Sequence, residues 1–297
     1  TPDNSRNLSE FLREKVQTGR GFGRSNLPAI TTRVMKRVET GKPLNFSVVA
    51  LAHKNPQFNV CGGSTQPDLA ELGFLLHLQE IIEGVERHYS GGATVTVLTE
   101  GGFYQQKGIF DVDREEIDDY ELQMSSLAEI VGCGKIELIP LHKIVEGSDV
   151  FEEEFARISA SIRDDEVAKF LPVMERSITD TQVDIGITPQ SMALKYASLH
   201  RAKTGVLNQY LSEQLGENFI YCSITDSGNS DKLRIDVFDR PAPPPQHGIG
   251  VLHGGTAKIE VVSFAELKER AENINFGAIK CDDIGESPFG IISFGGK

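Results

Sequence analysis

Lys54, Asp68 and Glu71 are the residues whose types and spacing could most readily do chemistry. They lie within FSVVALAHKNPQFNVCGGSTQPDLAE, residues 46–71. An apolar run, Phe46 to Ala52, ends abruptly in His53-Lys54. A turn bearing Gly62 and Gly63 follows, and Pro67 then opens a helix with Asp68 and Glu71 in its first turn. In an open α/β sheet, ligands sit outside the carboxyl ends of the strands, where helix N-termini converge. Two potential cations, flexible backbone and two carboxylates at that location suit an anionic, amine-bearing substrate. Plainer readings stand beside this one. Carboxylates are favourable at any helix N-terminus because of the macrodipole, and Lys54 is equally read as a solvated loop residue.

Further candidates are scattered along the chain. His247, in PPPQHGIGV, follows a rigid turn and starts a β-like run, where it could shuttle protons near neutral pH or simply bond a neighbouring loop. Arg201 lies on a helix with Lys195, His200 and Lys203. Arginine suits carboxylate or phosphate recognition through paired donors, although a basic helix face is usually only solvated. Ser223-Ile224-Thr225-Asp226 ends a strand and offers hydroxyls and one carboxylate, and Glu100 lies in Thr99-Glu100-Gly101-Gly102 at the end of another. Familiar constellations are missing from the sequence: His-Glu-x-x-His, Cys-x-x-Cys, the Walker lysine loop, the Gly-x-Ser-x-Gly elbow and a His-x-Asp pair. The expectation is chemistry through acid–base groups and substrate positioning, with no metal.

The elements that must position these groups alternate. A helix is predicted over 28–40 and a strand over 46–52. Leu69, Leu72, Leu75, Leu76, Ile82 and Val85 recur at spacings of three and four, which predicts an amphipathic helix over 67–88 with one buried face. Proline at its first position fits. Strands at 93–98 and 136–139 flank a helix at 113–131. This rhythm predicts a Rossmann-like α/β fold, a mostly parallel sheet with helices on both faces. After Pro140 the texture changes to long helices at 150–170 and 189–215. Short β-like runs follow at 219–224, 233–238, 247–252 and 258–262, then a helix at 263–272 and strands at 275–280 and 289–294. The Pro-rich Arg240–Pro245 stretch is a loop or stiff connector. These C-terminal runs are too short for a core of their own. The expected organisation is one α/β domain over 1–297: an N-terminal helical segment (1–43), a signature βαβ half (44–140) and a helical and mixed-β C-terminal half (141–297).

Bulk properties narrow the function. A net charge of −13 argues against nucleic-acid binding, which demands clustered Lys and Arg, but does not exclude a small anionic ligand with a local positive pocket. No stretch approaches the ~18 consecutive apolar residues of a membrane helix, and the polar N-terminus does not read as a secretory signal. Cys61, Cys133, Cys222 and Cys281 are far apart and fit reduced thiols of a cytoplasmic protein. The expected partners are small molecules. The C-terminal β-runs and Pro-rich loop could also serve a homodimer contact.

The order of these pieces resembles the pyoverdine/dityrosine-biosynthesis family, which includes the PvcA-like isonitrile synthases. The family's leading signature is an apolar strand, Lys-Ser-Pro-Asn, a glycine-bearing turn, and Pro-Asp-x-x-Glu opening a helix. Here it reads Lys54-Asn55-Pro56-Gln57, Gly62-Gly63 and Pro67-Asp68-Leu69-Ala70-Glu71. Tyr89-Ser90-Gly91-Gly92, Glu100-Gly101, Arg201, Ser223-Ile224 and Pro245-Gln246-His247-Gly248 fall where later family motifs are expected, so the similarity runs over about 44–262. Three departures mark a divergent member. Asn59 stands where a second lysine is usual, Gly102 where an Asp-Gly-Arg motif has its arginine, and Thr225 where histidine is common.

The resemblance implies an isonitrile synthase that condenses an amino-acid amine with ribulose 5-phosphate, without metal or organic cofactor. On that pattern Asp68 and Glu71 would hold and deprotonate the amine, Lys54 and Arg201 would bind phosphate or carboxylate, and His247 would move protons. His53, Glu100, Ser223 and Thr225 would contact substrate. The three departures leave two alternatives, different C–N chemistry on an amine and a sugar phosphate, or a non-catalytic small-molecule-binding protein.

Overall fold

The computed structural model describes residues 7–8, 10–12, 27–51, 53–54, 66–146, 148–216, 219–223, 233–234, 245, 248–253, 259–262, 264–269, 274–279 and 289–294. The chain divides into two compact units interleaved in sequence. One comprises residues 1–100, 115–139 and 218–297, the other 101–114 and 140–217.

The first unit is built on a five-stranded sheet. Its strands are β1 (Leu44–Val49), β2 (Ala93–Thr99), β3 (Ile136–Pro140, whose last residue belongs to the second unit), β4 (Ile220–Ser223) and β5 (Leu233–Arg234). Their order is β3-β2-β1-β4-β5, with β1 parallel to both β2 and β4, and β5 parallel to β4. The expected Rossmann-like α/β fold is therefore present. The β-branched and apolar runs LNFSVV and ATVTVLT suit strands covered on both faces. The chain builds outward from β1 to β3, then returns to the other side of β1 with β4. That reversal puts the topological switch point, where ligands gather in such sheets, between β1 and β4.

Three helices complete the layers of this unit: α1 (Leu27–Glu39), α2 (Leu69–His88) and α4 (Arg114–Gly132), numbered in chain order with α3 below. The α2 helix departs from the expected single buried stripe, with Leu69, Ala70, Phe74, Leu75, Leu78, Ile81, Ile82 and Val85 all buried. The reason is a second sheet. Strands β6 (Ile249–His253), β7 (Ile259–Val262), β8 (Ile274–Ile279) and β9 (Phe289–Phe294) assemble in the order β7-β6-β9-β8. Helix α2 packs against β6, β7 and β9 as well as against β2. Gly250 on β6 permits the close approach. A Cβ there would lie far inside van der Waals contact with the backbone of Leu69 and Ala70, and backbone cannot step aside. The C-terminal strands thus cover α2, and a short helix, α11 (Phe264–Glu269), follows β7.

The second unit is helical. Its elements are α3 (Gly101–Gln106), α5 (Leu141–Val145), α6 (Asp149–Ser159), α7 (Asp164–Ala168), α8 (Leu171–Ser177), α9 (Asp180–Asp184) and α10 (Pro189–Leu215). The helix expected over 150–170 is broken, and Pro172 opens a new helix because proline is tolerated only in a first turn. Thr188 caps α10, accepting from the Ser191 N–H, with Pro189 at its first turn. An aromatic cluster holds the unit together. Tyr104 stacks on Tyr196 at 4.8 Å between centroids, and Phe103 meets Phe151 edge-on at 5.5 Å.

Candidate functional site

The site begins where β1 stops. The strand expected to run to Ala52 ends at Val49. Ala50 still donates to the Leu98 carbonyl (3.1 Å), and the Leu51 carbonyl accepts from the Glu100 N–H (3.2 Å). Leu51 itself is fully buried with φ +64°, a left-handed conformation that a branched residue adopts only when its surroundings impose it. The backbone turns here, next to the switch point, and delivers His53 and Lys54. Both are buried, so Lys54 is no solvated loop residue.

Helix α2 presents its N-terminus to Lys54. Pro67 precedes the helix, and the N-cap is Asp68, whose Oδ1 accepts from the Ala70 N–H at 2.7 Å. Glu71 reaches back to complete a capping box, its Oε2 accepting from the Asp68 N–H at 3.0 Å. The Lys54 ammonium donates into the same two carboxylates, with Nζ 2.9 Å from Asp68 Oδ1 and 3.3 Å from Glu71 Oε2. It also reaches the carbonyls of Pro245 (3.0 Å) and Gly248 (2.7 Å), so its three donors face four oxygens. The two carboxylates do approach one ammonium, as their one-turn spacing implies, and that ammonium is the protein's own.

All three side chains are out of water, and their electrostatics follow from that. Burial raises the Glu71 carboxyl to about 8, opposed by the Lys54 charge and reinforced by Asp68. Tyr120, buried on α4, sits with its Oη 3.5 Å from Glu71 Oε1, and burial with both carboxylates nearby holds its phenol protonated well above the usual range. Asp68 Oδ2 is buried without a hydrogen-bond partner among the described residues. Near neutral pH the Glu71 carboxyl is therefore poised to hold or release a proton beside Lys54 and Asp68.

Comparison with known proteins gives the family and the fold. The family described as pyoverdine/dityrosine biosynthesis protein matches residues 34–248. The chain belongs to that family. Over 112 residues, 38% of the chain and 32% of the relative, it is 25% identical to an L-tyrosine isonitrile synthase of Xenorhabdus nematophila. The matched stretch thus spans about a third of that relative's length. The crystal structure of PvcA from Pseudomonas aeruginosa has the same fold, with a TM-score of 0.69 at 16% identity, covering 97% of this chain and 99% of that one.

Within this family member the other expected residues lie on several elements. Glu100, half-buried, follows β2 and is tied to Leu51 through its backbone. Ser223 ends β4, the strand on the other side of β1. Thr225, His247 and Asn59 lie outside the described residues. Arg201 is on α10 in the helical unit, exposed to solvent and paired with Glu166 at 3.2 Å. Gly102, read as a lost arginine, has its space occupied. A Cβ there would meet the Arg114 guanidinium (2.9 Å from Nη1) and the His142 ring. Tyr120, Leu51, Arg114 and His142 were not singled out from sequence. Arg114 starts a helix and His142 sits in an unremarkable Leu-His-Lys run, so only Gly102 carried a signal. Among the described residues no group of three or more His, Cys, Asp or Glu is set to hold a metal ion, and no helix is long and apolar enough to cross a membrane.

Proposed function

We propose that this protein is an isonitrile synthase-like enzyme that condenses an amino-acid amine with ribulose 5-phosphate. Membership of the family and the distant likeness to an L-tyrosine isonitrile synthase support the reading. The observation that carries it is the buried Lys54–Asp68–Glu71 cluster at the switch point of the sheet. A carboxyl pair that already cages one primary ammonium has the chemistry to receive another. Glu71, raised to about 8, is matched to taking a proton from an amine near neutral pH.

The amine gives its proton to a carboxylate of the pair, attacks the ketone carbon, and loses water to form an imine. That carbon then parts from both carbon neighbours. One departs leaving its bonding pair behind and the other takes its pair away. The ketone carbon therefore begins and ends at the same oxidation level, and the protein has to supply proton transfers and orientation, with no net gain or loss of electrons. The Glu71 carboxyl, with Tyr120 beside it, is the group placed for such transfers.

The test is incubation of purified protein with ribulose 5-phosphate and each proteinogenic amino acid, with mass-spectrometric detection of isonitrile and formaldehyde. Isonitrile carrying the label of a [2-13C] sugar is the expected result. Absence of isonitrile from every amino acid overturns the reading.

A further inference from the structure

Glu71 uses its two carboxyl oxygens differently. Oε2 accepts from the Asp68 N–H at 3.0 Å and from Lys54 Nζ at 3.3 Å. An oxygen that already accepts two N–H donors has no lone pair left for a hydrogen of its own, so the acid hydrogen of Glu71 belongs on Oε1. Facing Oε1 is the hydroxyl of Tyr120, at 3.5 Å.

Tyr120 lies on the buried stripe of α4 with Ile117, Met124, Leu127 and Ala128. Packing on such a stripe asks only for a ring, and phenylalanine would supply one. A buried phenol needs a partner for its O–H, and here the partner is a carboxyl inside the same unit. Both residues show 0% exposure. The charged groups around the contact are Lys54 beyond β1, Asp68 at the cap of α2 and Glu121 on α4. Lys54 is bound to both Asp68 and Glu71, and Glu121 accepts from Thr99 Oγ1 of β2 at 2.8 Å.

A hydroxyl suits Oε1 in both of its states. It donates to the carboxylate, and it turns to accept from the acid, whereas a backbone or lysine N–H serves the carboxylate alone. Tyr120 keeps its own proton throughout, because burial and the nearby carboxylates hold the phenol well above its usual range. At 3.5 Å the contact is longer than a settled O–H···O bond, so it has room to shorten as Glu71 takes up charge.

We propose that Tyr120 is the positioning residue of Glu71, its hydroxyl donating to Oε1 of the carboxylate and accepting from Oε1 of the acid, so that a proton from the substrate amine is received on that oxygen. The proposal rests on the functional reading above and deepens it by naming the oxygen that receives the proton and the group that holds it. Part of its test reads the carboxyl itself and needs no turnover.

The experiment is a pH titration of the full chain labelled with δ-13C-glutamate, followed by carbon NMR, in which the Glu71 signal is the one absent from Glu71→Gln. In the wild type it is expected to titrate near 8. The bond to the carboxylate is charge-assisted and the stronger of the two. Tyr120→Phe is therefore expected to move the midpoint up by about one pH unit. A chain carrying 3-fluorotyrosine, a more acidic phenol and a stronger donor, is expected to move it down, and the same labelling in Tyr120→Phe to leave it unmoved. In the isonitrile assay the rise of kcat/KM with pH is expected to follow the carbon midpoint in each form. Tyr120→Phe should lower kcat with KM within about twofold of wild type, and should add nothing once Glu71→Gln is present. A wild-type signal in the ordinary carboxyl range overturns the proposal, as does a midpoint that Tyr120→Phe leaves in place. Should Tyr120→Phe fail to fold, the fluorinated chain decides: a downward shift supports the proposal and an unmoved midpoint overturns it. Midpoints that move as expected in a protein that makes no isonitrile keep the pairing of Tyr120 with Glu71 and remove the reaction.

Discussion

In the sheet-based unit, Lys54 shows 0% exposure and lies between two carboxylates that are themselves buried. In the helical unit, Arg201 meets Glu166 at a similar distance, but its side chain is 53% exposed and that of its partner 24%. The residue classes and separations are alike, and the physics differs. Exposed pairs are screened, and the cost of ordering two long side chains offsets most of their attraction. Buried charges have given up water, so each depends on its partner, and removal of one leaves the rest stranded. Distance alone does not rank these ion pairs, and burial does. The same burial that ties Lys54 to its partners also moves the Glu71 proton into the neutral range.

The largest expected effect breaks the buried cluster. Lys54→Met keeps the length of the side chain and deletes its charge, leaving Asp68 and Glu71 buried without a cation. We expect a loss of about 3–5 kcal/mol in urea unfolding. The loss should shrink at low pH, where the carboxyls can be neutral. A cost below about 1 kcal/mol would show that water reaches the cluster, and the contrast with Arg201 would then collapse.

Glu71→Gln is the next test, and it separates chemistry from architecture. With its carboxyl raised to about 8, Glu71 is mostly protonated at neutral pH, and glutamine is a near replica that can still accept from Lys54 and the Asp68 N–H. Stability at neutral pH should change little, while turnover falls on the order of a hundredfold, the usual scale for a lost general base. Titration sharpens the point. The native carboxyl lies above its ordinary 4.5, so between about 4.5 and 8 the folded state holds a proton that the unfolded chain releases. The contribution of Glu71 to stability is therefore greatest below 4.5, declines as pH rises through this window, and levels off above about 8. Glu71→Gln should flatten that slope in denaturation curves, and should also remove a rise in kcat/KM near pH 8. A fully active Glu71→Gln protein would sink the catalytic assignment and leave the capping box as its only role.

Sequence reveals these regions unequally, for a physical reason. β1, β2 and β3 and the helices α2 and α4 are written in local periodicity, and their observed ends lie within a few residues of those expected; the short α3 was not expected. Asp68 and Glu71 were readable because capping joins residues three apart. The partners of Lys54 were not, because the carbonyls of Pro245 and Gly248 lie 191 and 194 residues away and only the assembled sheets bring them near. The left-handed turn at Leu51 runs against what its side chain prefers, so tertiary packing alone specifies it. The second buried face of α2 was hidden for a similar reason, since the strands that cover it come some 160 residues later or more, far outside any local window. Gly102 was visible as a missing side chain, but what fills its place depends on residues 114 and 142.

The smallest expected effect sits at the other end of the comparison. Arg201→Gln removes a guanidinium that contacts Glu166 across the surface of the helical unit at 3.2–3.4 Å. Glu166 is also near Arg163, with Nε 3.9 Å away, so the loss of Arg201 leaves that carboxylate beside another cation. The expected change in unfolding free energy is below about 1 kcal/mol, and raising salt should reduce it further as screening weakens the pair. The KM for ribulose 5-phosphate should stay within about twofold of wild type, the level expected when a rim charge contributes only weakly to binding. A tenfold rise in KM with an unchanged melt would reverse the assignment of roles. Arg201 would then be the group that meets the substrate anion, and exposure would be a requirement of its function, since a cation that must receive a ligand from solvent cannot be sealed in as Lys54 is.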